Sequence, residues 1–357
     1  MVVTETAYPI TGLSPAELGG IFKGLGQPDY RLEQVRRWLY GRAVGTFAEM
    51  TDLPADVRDY LAASYCVPLP EVSETAVSRA DGTTRYLFKL DDGLVVEAVY
   101  LPDEDHDTVC LSSQVGCRFG CKFCATASLG FRRDLTAYEI MVQFAIIRNE
   151  KPGRNIRNAV LMGQGEPLDN YAATVEAVEL LREYQGLGAR RITVSTVGLA
   201  DGIRRLADDG LKAKLAVSLN SARQELRESI APVARKVPLD ELSGALVYYY
   251  KKTKKRPTVE YVLIGGVNDT ADDARALVEF SKRVPCKVNV IRLNPWPGCA
   301  YGAPDEGTFG DFLAEVARGP MALTVRENRG ADVDAACGQL ARRRVGSSPD
   351  ALEEIND

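Results

Sequence analysis

Histidine is almost missing from this chain: among 357 residues there is one, His106. That scarcity excludes a zinc finger built on paired cysteines and histidines, whose closed tetrahedral site needs four such ligands. No run of eighteen apolar residues occurs, which excludes an ordinary membrane-spanning helix. The opening MVVTETAYPITGLSPAELGG lacks the basic flank and apolar stretch of a secretory signal. The expectation is a cytoplasmic chain with no membrane contact. There is no surplus of positive charge either. The net charge is −5 and the pI about 5.3, which does not advertise a nucleic-acid partner, although local patches rather than the total set the field at a groove. No internal repeat is found.

What the chain does have is cysteine. In a reducing compartment eight cysteines read as ligands, catalytic thiols or core residues rather than bridges. Three of them, Cys117, Cys121 and Cys124, form a C-x3-C-x2-C triplet in CRFGCKFC. Thiolates so spaced on one loop can turn to a common centre, and thiolate sulfur selects zinc, Cu(I) or an iron–sulfur cluster. A fourth ligand decides between them. His106 lies eleven residues upstream and no second finger-like Cys pair follows, so three ligands and an open corner suit a [4Fe–4S] cluster whose free iron binds a small molecule. The bland alternative is three buried or bridged thiols.

The length allows one large α/β domain and a smaller one. Residues 1–70 read as a helical accessory domain, with Leu18, Phe22, Leu25, Val35, Trp38 and Leu39 at helical spacing and Asp52 preceding a further helix. Residues 71–106 alternate in β fashion around a DDG turn and read as a β-hairpin linker. From 107 to 345 short β-branched runs alternate with helical stretches at 135–149, 172–186, 200–210, 222–230, 239–254 and 270–283, and a last strand, ALTVREN, follows. That alternation predicts an α/β fold with a parallel sheet of βα units, open or closed. Residues 346–357 read as a tail.

The polar motifs fall at the ends of the predicted strands. The Cys loop follows the first, Gly165 and Glu166 follow NAVLMG, Ser195 ends RITVS, Ser218 ends KAKLAVS, and Asn294 follows KVNVIRL. In a βα barrel such residues gather at one mouth. Singly each is ordinary loop punctuation or a helix cap; their shared location argues for a site.

CLSSQVGCRFGCKFCAT, MGQGEPLDN, ITVSTVGL, LAVSLNS, VEYVLIGGVND, NVIRLNPWPG and RGADVDAACGQLA, in this order and spacing, resemble the RlmN/Cfr family of radical S-adenosylmethionine (SAM) RNA methyltransferases. The likeness runs from about Gly20 to Ala341 and includes GQPDYRLEQVRRWLY. It implies a partial (βα)6 barrel, a [4Fe–4S] cluster on Cys117, Cys121 and Cys124, and SAM as second cofactor. It further implies methylation of adenosine at carbon 2 in 23S rRNA and in tRNA. An electron donor such as flavodoxin or ferredoxin and a monomeric enzyme belong to the same expectation. Cfr-type members instead modify carbon 8, and a divergent relative with a non-RNA substrate is the third reading.

The adenine carbon is not nucleophilic, so a carbon radical is needed and the cofactors carry that chemistry. By the resemblance, Cys337 accepts a methyl group from one SAM, and a 5′-deoxyadenosyl radical from a second SAM activates it toward the base. Cys110 then attacks the Cys337 sulfur, releasing product as a disulfide forms, and Glu97 is the matching base. Cys66, Cys286 and Cys299 match no catalytic element and read as packing residues. For SAM the resemblance points to Gly165, Glu166, Ser195, Ser218, Leu219, Asn220 and Asn294, with the Glu166 carboxylate suited to the amino group. Three departures stand out: Gln164 in GQGEP, Val197 in STVG and Asn220 in SLNS, where the family's usual forms are GMGEP, STSG and SLHA. Arg132 and Arg133, the run Lys251, Lys252, Lys254, Lys255 and Arg256 beside three tyrosines, and Arg342 to Arg344 are the basic clusters available to RNA. The YYYKKTKKR run also suits a helix C-terminus.

Overall fold

The computed structural model describes residues 7–326 and 328–340. The first unit is helical. Strand β1 (Tyr8–Pro9) pairs in parallel with β2 (Tyr65–Cys66) and ties its two ends together. Between them, α1 (Pro15–Gly24) starts at a reciprocal cap in which Ser14 Oγ accepts from the Glu17 amide and the Glu17 carboxylate accepts from the Ser14 amide. After α2 (Tyr30–Arg36) comes a π-helical turn (Arg37–Arg42), then α3 (Ala55–Ser64). Leu18, Phe22, Val35, Leu39 and Leu61 close a core separate from that of the barrel. Asp52 accepts from the Trp38 indole at 2.6 Å, and α3 begins after Pro54.

The segment expected to be a hairpin linker is instead part of the main sheet. Strands β3 (Glu71–Val77), β4 (Thr84–Lys89) and β5 (Val95–Leu101) are antiparallel, and β5 pairs antiparallel with β6 (Asp107–Cys110). Phe88, Val96 and Ala98 are buried in the barrel core, so the turn signal was real but the strands beside it extend the sheet. A short antiparallel pair, β7 (Gln114–Gly116) and β8 (Phe131–Asp134), frames the Cys loop and α4 (Ala125–Ser128). Gly116 has φ 74, and a side chain there would meet the Gly130 carbonyl, so glycine is required for this pair to close.

The parallel strands follow as β9 (Ile156–Leu161), β10 (Ile192–Thr196), β11 (Lys214–Ser218), β12 (Thr258–Leu263), β13 (Lys287–Arg292) and β14 (Ala322–Arg326). The ten-stranded sheet runs β14-β13-β12-β11-β10-β9-β6-β5-β4-β3. Helices α5 (Ala137–Glu150), α6 (Tyr171–Tyr184), α7 (Ala200–Asp208), α8 (Gln224–Ile230), α9 (Leu239–Thr253), α10 (Ala271–Arg283) and α11 (Glu306–Val316) make the crossovers. Strands β6 and β9 to β13 are the expected partial (βα)6 barrel; β14 adds a seventh parallel strand. Helix α11 is not evident in the sequence because Gly307 and Gly310 lower its propensity. It forms because Asp305 caps it and Phe312 and Val316 are buried. Among the described residues no helix is long and apolar enough to cross a membrane.

Candidate active site

Two cavities adjoin at the carboxyl end of the parallel strands. The smaller, about 150 Å³, is lined by Cys121, Cys124, Gly165, Glu166, Ser195, Ser218, Asn220 and Asn294 among others. The larger, about 520 Å³, has Cys110, Thr126, Met162, Asn294, Arg326 and Cys337 on its walls. Cys124, Asn294 and Cys337 line both. The strand-end motifs therefore do share one mouth.

The loop after β9 is fixed from below. Gly165 has φ 98, and a Cβ there would stand 2.6 Å from Gln114 Cβ and 2.7 Å from its backbone nitrogen. That approach lets Gln114 act as a hub: its Oε1 accepts from the Glu166 amide at 2.8 Å, while its Nε2 donates to Asp134 and Asp169. Glu166 is buried, and its two oxygens accept from the Leu168 amide (2.9 Å) and the Val197 amide (2.7 Å). Burial pushes its carboxyl up to about 7 despite these bonds. It joins the β9 loop to the β10 loop as well as lining the smaller cavity. A carboxylate retains further acceptor capacity, so a cationic ligand group can still be received.

All eight cysteines are free thiols. Burial raises Cys117 to about 12 and holds Cys121 and Cys124 high as well. Cys117 and Cys121 each feel the Cys124 charge. Among the described residues no three of Cys, His, Asp and Glu converge tightly enough for a single ion. The three thiols share one loop, and their soft sulfur donors with no fourth protein ligand among the described residues suit an iron–sulfur cluster better than a closed zinc site. Behind Cys121 lies Arg227, fully buried, which donates to the Val237 and Val197 carbonyls. Burial lowers its pKa to about 10, while the Cys121 charge acts to raise it. Its cation faces the sulfur-rich end of the loop.

The C-terminal segment with Cys337 is sewn to the Cys loop. The Gly338 carbonyl accepts from the Ala125 amide at 2.7 Å, Thr126 Oγ1 donates to the Leu340 carbonyl at 2.8 Å, and Gln339 Nε2 donates to the Pro295 carbonyl at 2.9 Å. The Trp296 indole donates to the Phe123 carbonyl at 3.2 Å. The β13 loop, Cys loop and Cys337 loop thus form one assembly. Burial pushes the Cys110 thiol up to about 12; the Cys337 charge adds to this and the Arg326 guanidinium opposes it.

The sequence of this chain is similar to the radical SAM superfamily over residues 111–280 and to the ribosomal RNA large subunit methyltransferase N-terminal domain over residues 9–67. It is 41% identical over 338 residues to the dual-specificity RNA methyltransferase RlmN of Geobacter sulfurreducens, covering 94% of this chain and 92% of that protein. Identity to the probable dual-specificity RNA methyltransferase RlmN of Thermus thermophilus is 43% over 350 residues, with 96% and 95% covered. A crystal structure of a radical SAM methyltransferase from Sphaerobacter thermophilus superposes with a TM-score of 0.87 at 40% identity, covering 93% and 99%. The chain belongs to the RlmN family of radical SAM methyltransferases. Its cofactors are those of the superfamily, SAM and a [4Fe–4S] cluster, and the donor set fits them as described above.

Against this RlmN frame several expectations change. Leu219 does not line either cavity: its side chain is in the core and its amide donates to the Glu260 carbonyl. Glu97 is neither a solvent-facing strand residue nor on a cavity wall. It shares a strand face with Val99 and Leu101, which do line the larger cavity, and lies beyond Cys110 toward the mouth, where its carbonyl accepts from Ser112 Oγ at 2.5 Å. Arg85 Nη1 donates to its Oε1 at 2.9 Å and Gln164 Nε2 to its Oε2 at 3.1 Å. The Gln164 departure thus places a donor on this carboxylate. At the second departure the Val197 amide, not its side chain, holds Glu166. Asn220 sits at φ 58, a conformation asparagine tolerates, and its Oδ1 accepts from the Val262 amide at 3.1 Å. Arg133 is ion-paired with Asp92 and Glu139, Tyr249 is buried, and Arg132 is exposed. Arg342 to Arg344 lie outside the described residues. Gln114, Arg227, Glu260 and Arg326 were not singled out from sequence. Glu260 lines the smaller cavity and accepts from Asn289 Nδ2 at 2.6 Å; its one cue was a charged residue inside an otherwise apolar strand.

Proposed function

We propose that this chain methylates carbon 2 of adenosine in 23S rRNA and tRNA through a methyl group held on Cys337. The observation that carries this reading is the pair of free thiols, Cys110 and Cys337, on the wall of one ligand-sized cavity that adjoins the smaller cavity beside the Cys triplet. Cys117, Cys121 and Cys124 hold the cluster. Gly165, Glu166, Ser195, Ser218, Asn220 and Asn294 bind SAM, with Glu166 meeting its amino group. When bound, the cluster and SAM supply the carbon radical that an unactivated ring carbon requires.

The chain's own residues supply the rest. Cys337 Sγ bears the methyl group and positions it toward the base in the larger cavity. The Cys110 thiolate attacks the Cys337 sulfur, so that a Cys110–Cys337 disulfide forms as the bond from that sulfur to the base-linked methylene breaks and the released carbon takes up a proton; the Arg326 guanidinium beside both thiols opposes the burial that disfavours this thiolate. Glu97, held by Arg85 and Gln164, is a positioning residue for this wall rather than a group in contact with the base. A flavodoxin or ferredoxin supplies electrons to a monomeric enzyme. The test is liquid chromatography with mass spectrometry of nucleosides from rRNA and tRNA of a host lacking its own enzyme and expressing this chain. A 2-methyladenosine peak in both RNAs is expected. 8-methyladenosine alone would reassign the carbon, and no methyladenosine would remove RNA as the substrate.

A further inference from the structure

At the amino-terminal ends of the parallel strands, opposite the mouth, four neighbouring strands are each entered through cations. Arg191 precedes β10, Lys212 and Lys214 introduce β11, Lys255 and Arg256 precede β12, and Lys287 opens β13. The register draws them level: Thr193 pairs with Lys214, Ala216 with Thr258, and Thr258 with Lys287. With strands about 4.8 Å apart they form a strip roughly 15 Å across. All but the half-buried Arg191 are exposed.

The helices around the strip behave differently. Several of their cations are partnered: Lys252 with Asp208 at 3.3 Å, Lys282 with Glu279 at 2.5 Å, and Arg182 with Glu179. In the strip, among the described residues, the Arg191 side chain reaches only the Asn158 carboxamide and the Lys255 side chain only the Ala213 carbonyl. Among the described residues none of the six has a carboxylate within ion-pair distance. Desolvation, then the charges of Lys287 and Arg191, hold Lys214 below its ordinary value, and Lys255 is lowered likewise beside Lys212 and Arg182. Like charges are gathered here without internal compensation, in a chain of net charge −5.

We infer that this strip is a second RNA-binding surface, which holds the phosphate backbone of the RNA substrate at a segment remote from the base in the mouth. The inference rests on the RNA-substrate reading and deepens it. Unpaired, level cations suit a phosphate run, whose binding is electrostatic and independent of sequence. An acidic electron-carrying protein fits less well, because the cluster loop lies a strand length away, about 17–20 Å.

The test uses the full chain and two probes, a whole tRNA transcript and its isolated anticodon stem-loop, with affinity measured from low to moderate salt. The Lys212→Ala, Lys214→Ala, Lys287→Ala triple variant is expected to bind whole tRNA about ten-fold or more weakly, with the slope of log affinity against log salt reduced by about 2–3. Its stem-loop affinity stays at the wild-type value. The corresponding triple Lys→Arg variant keeps both, which separates lost charge from lost fold. Unchanged tRNA affinity and slope in the alanine variant overturns the inference, as does an equal loss for both probes. Wild-type chain that binds neither RNA overturns the RNA reading and this inference with it.

Discussion

The two ends of the barrel treat charge in opposite ways. At the mouth Glu166, Arg227 and Glu97 are buried and each is held by hydrogen bonds from or to named groups. At the base Lys212, Lys214 and Lys287 are exposed and have no carboxylate partner among the described residues. Burial makes the difference, because an enclosed charge must be satisfied by the fold whereas an exposed one is satisfied by water. The mouth is therefore over-determined, and a single substitution there disturbs several loops. At the base, substitution of Lys212, Lys214 or Lys287 is expected to cost little, since none of their side chains has a hydrogen-bond or ion-pair partner among the described residues.

The largest effect that sharpens this contrast is expected at the triplet. Replacing any of Cys117, Cys121 or Cys124 by Ala should abolish the cluster and SAM cleavage together, read by iron content and by 5′-deoxyadenosine formation. Tightly bound zinc without iron in the anaerobically reconstituted wild type would contradict the assignment. Next comes Arg227→Met. It leaves the Val237 and Val197 carbonyls without their buried donor, so stability should fall by about 2–4 kcal/mol in a denaturant titration, against within about 0.5 kcal/mol for Lys214→Gln at the base. Equal losses at the two ends would break the comparison.

A third expectation concerns pH. In the folded chain Glu166 is pushed up to about 7 from an ordinary 4.5, so between those values the folded state binds the extra proton. Its stabilising contribution is full below pH 4.5, declines as pH rises, and is lost above 7. Relative to Glu166→Gln, wild-type chain without SAM should therefore lose on the order of 2–3 kcal/mol across that window. A difference that is flat in pH would remove the titration from Glu166.

The strand-end positions of Gly165, Ser195, Ser218 and Asn294 were legible because βα alternation and β-branched runs mark strands directly, and strand ends converge by topology. The Cys triplet was legible because its ligands are local in sequence. What escaped was tertiary. The DDG turn predicts a hairpin, but nothing local says that β5 will pair with β6 and make residues 71–101 part of the sheet. Arg227 and Arg326 looked like any other arginine, since only the fold brings them to Cys121 and to the Cys110–Cys337 pair. Glu97 was read as a base from its matched position; its enclosure by Arg85 and Gln164 depends on a neighbouring strand and a distant loop.

The central claim is that Cys337 carries the sulfur linked to RNA and that Cys110 resolves that link within one cavity. Mass spectrometry of Cys110→Ala enzyme after incubation with SAM, reductant and RNA, followed by nuclease and protease digestion, tests it most directly. The account predicts a nucleotide joined through a methylene to the Cys337 peptide, because the tether forms and nothing resolves it. An unmodified Cys337 peptide with full RNA methylation would contradict it.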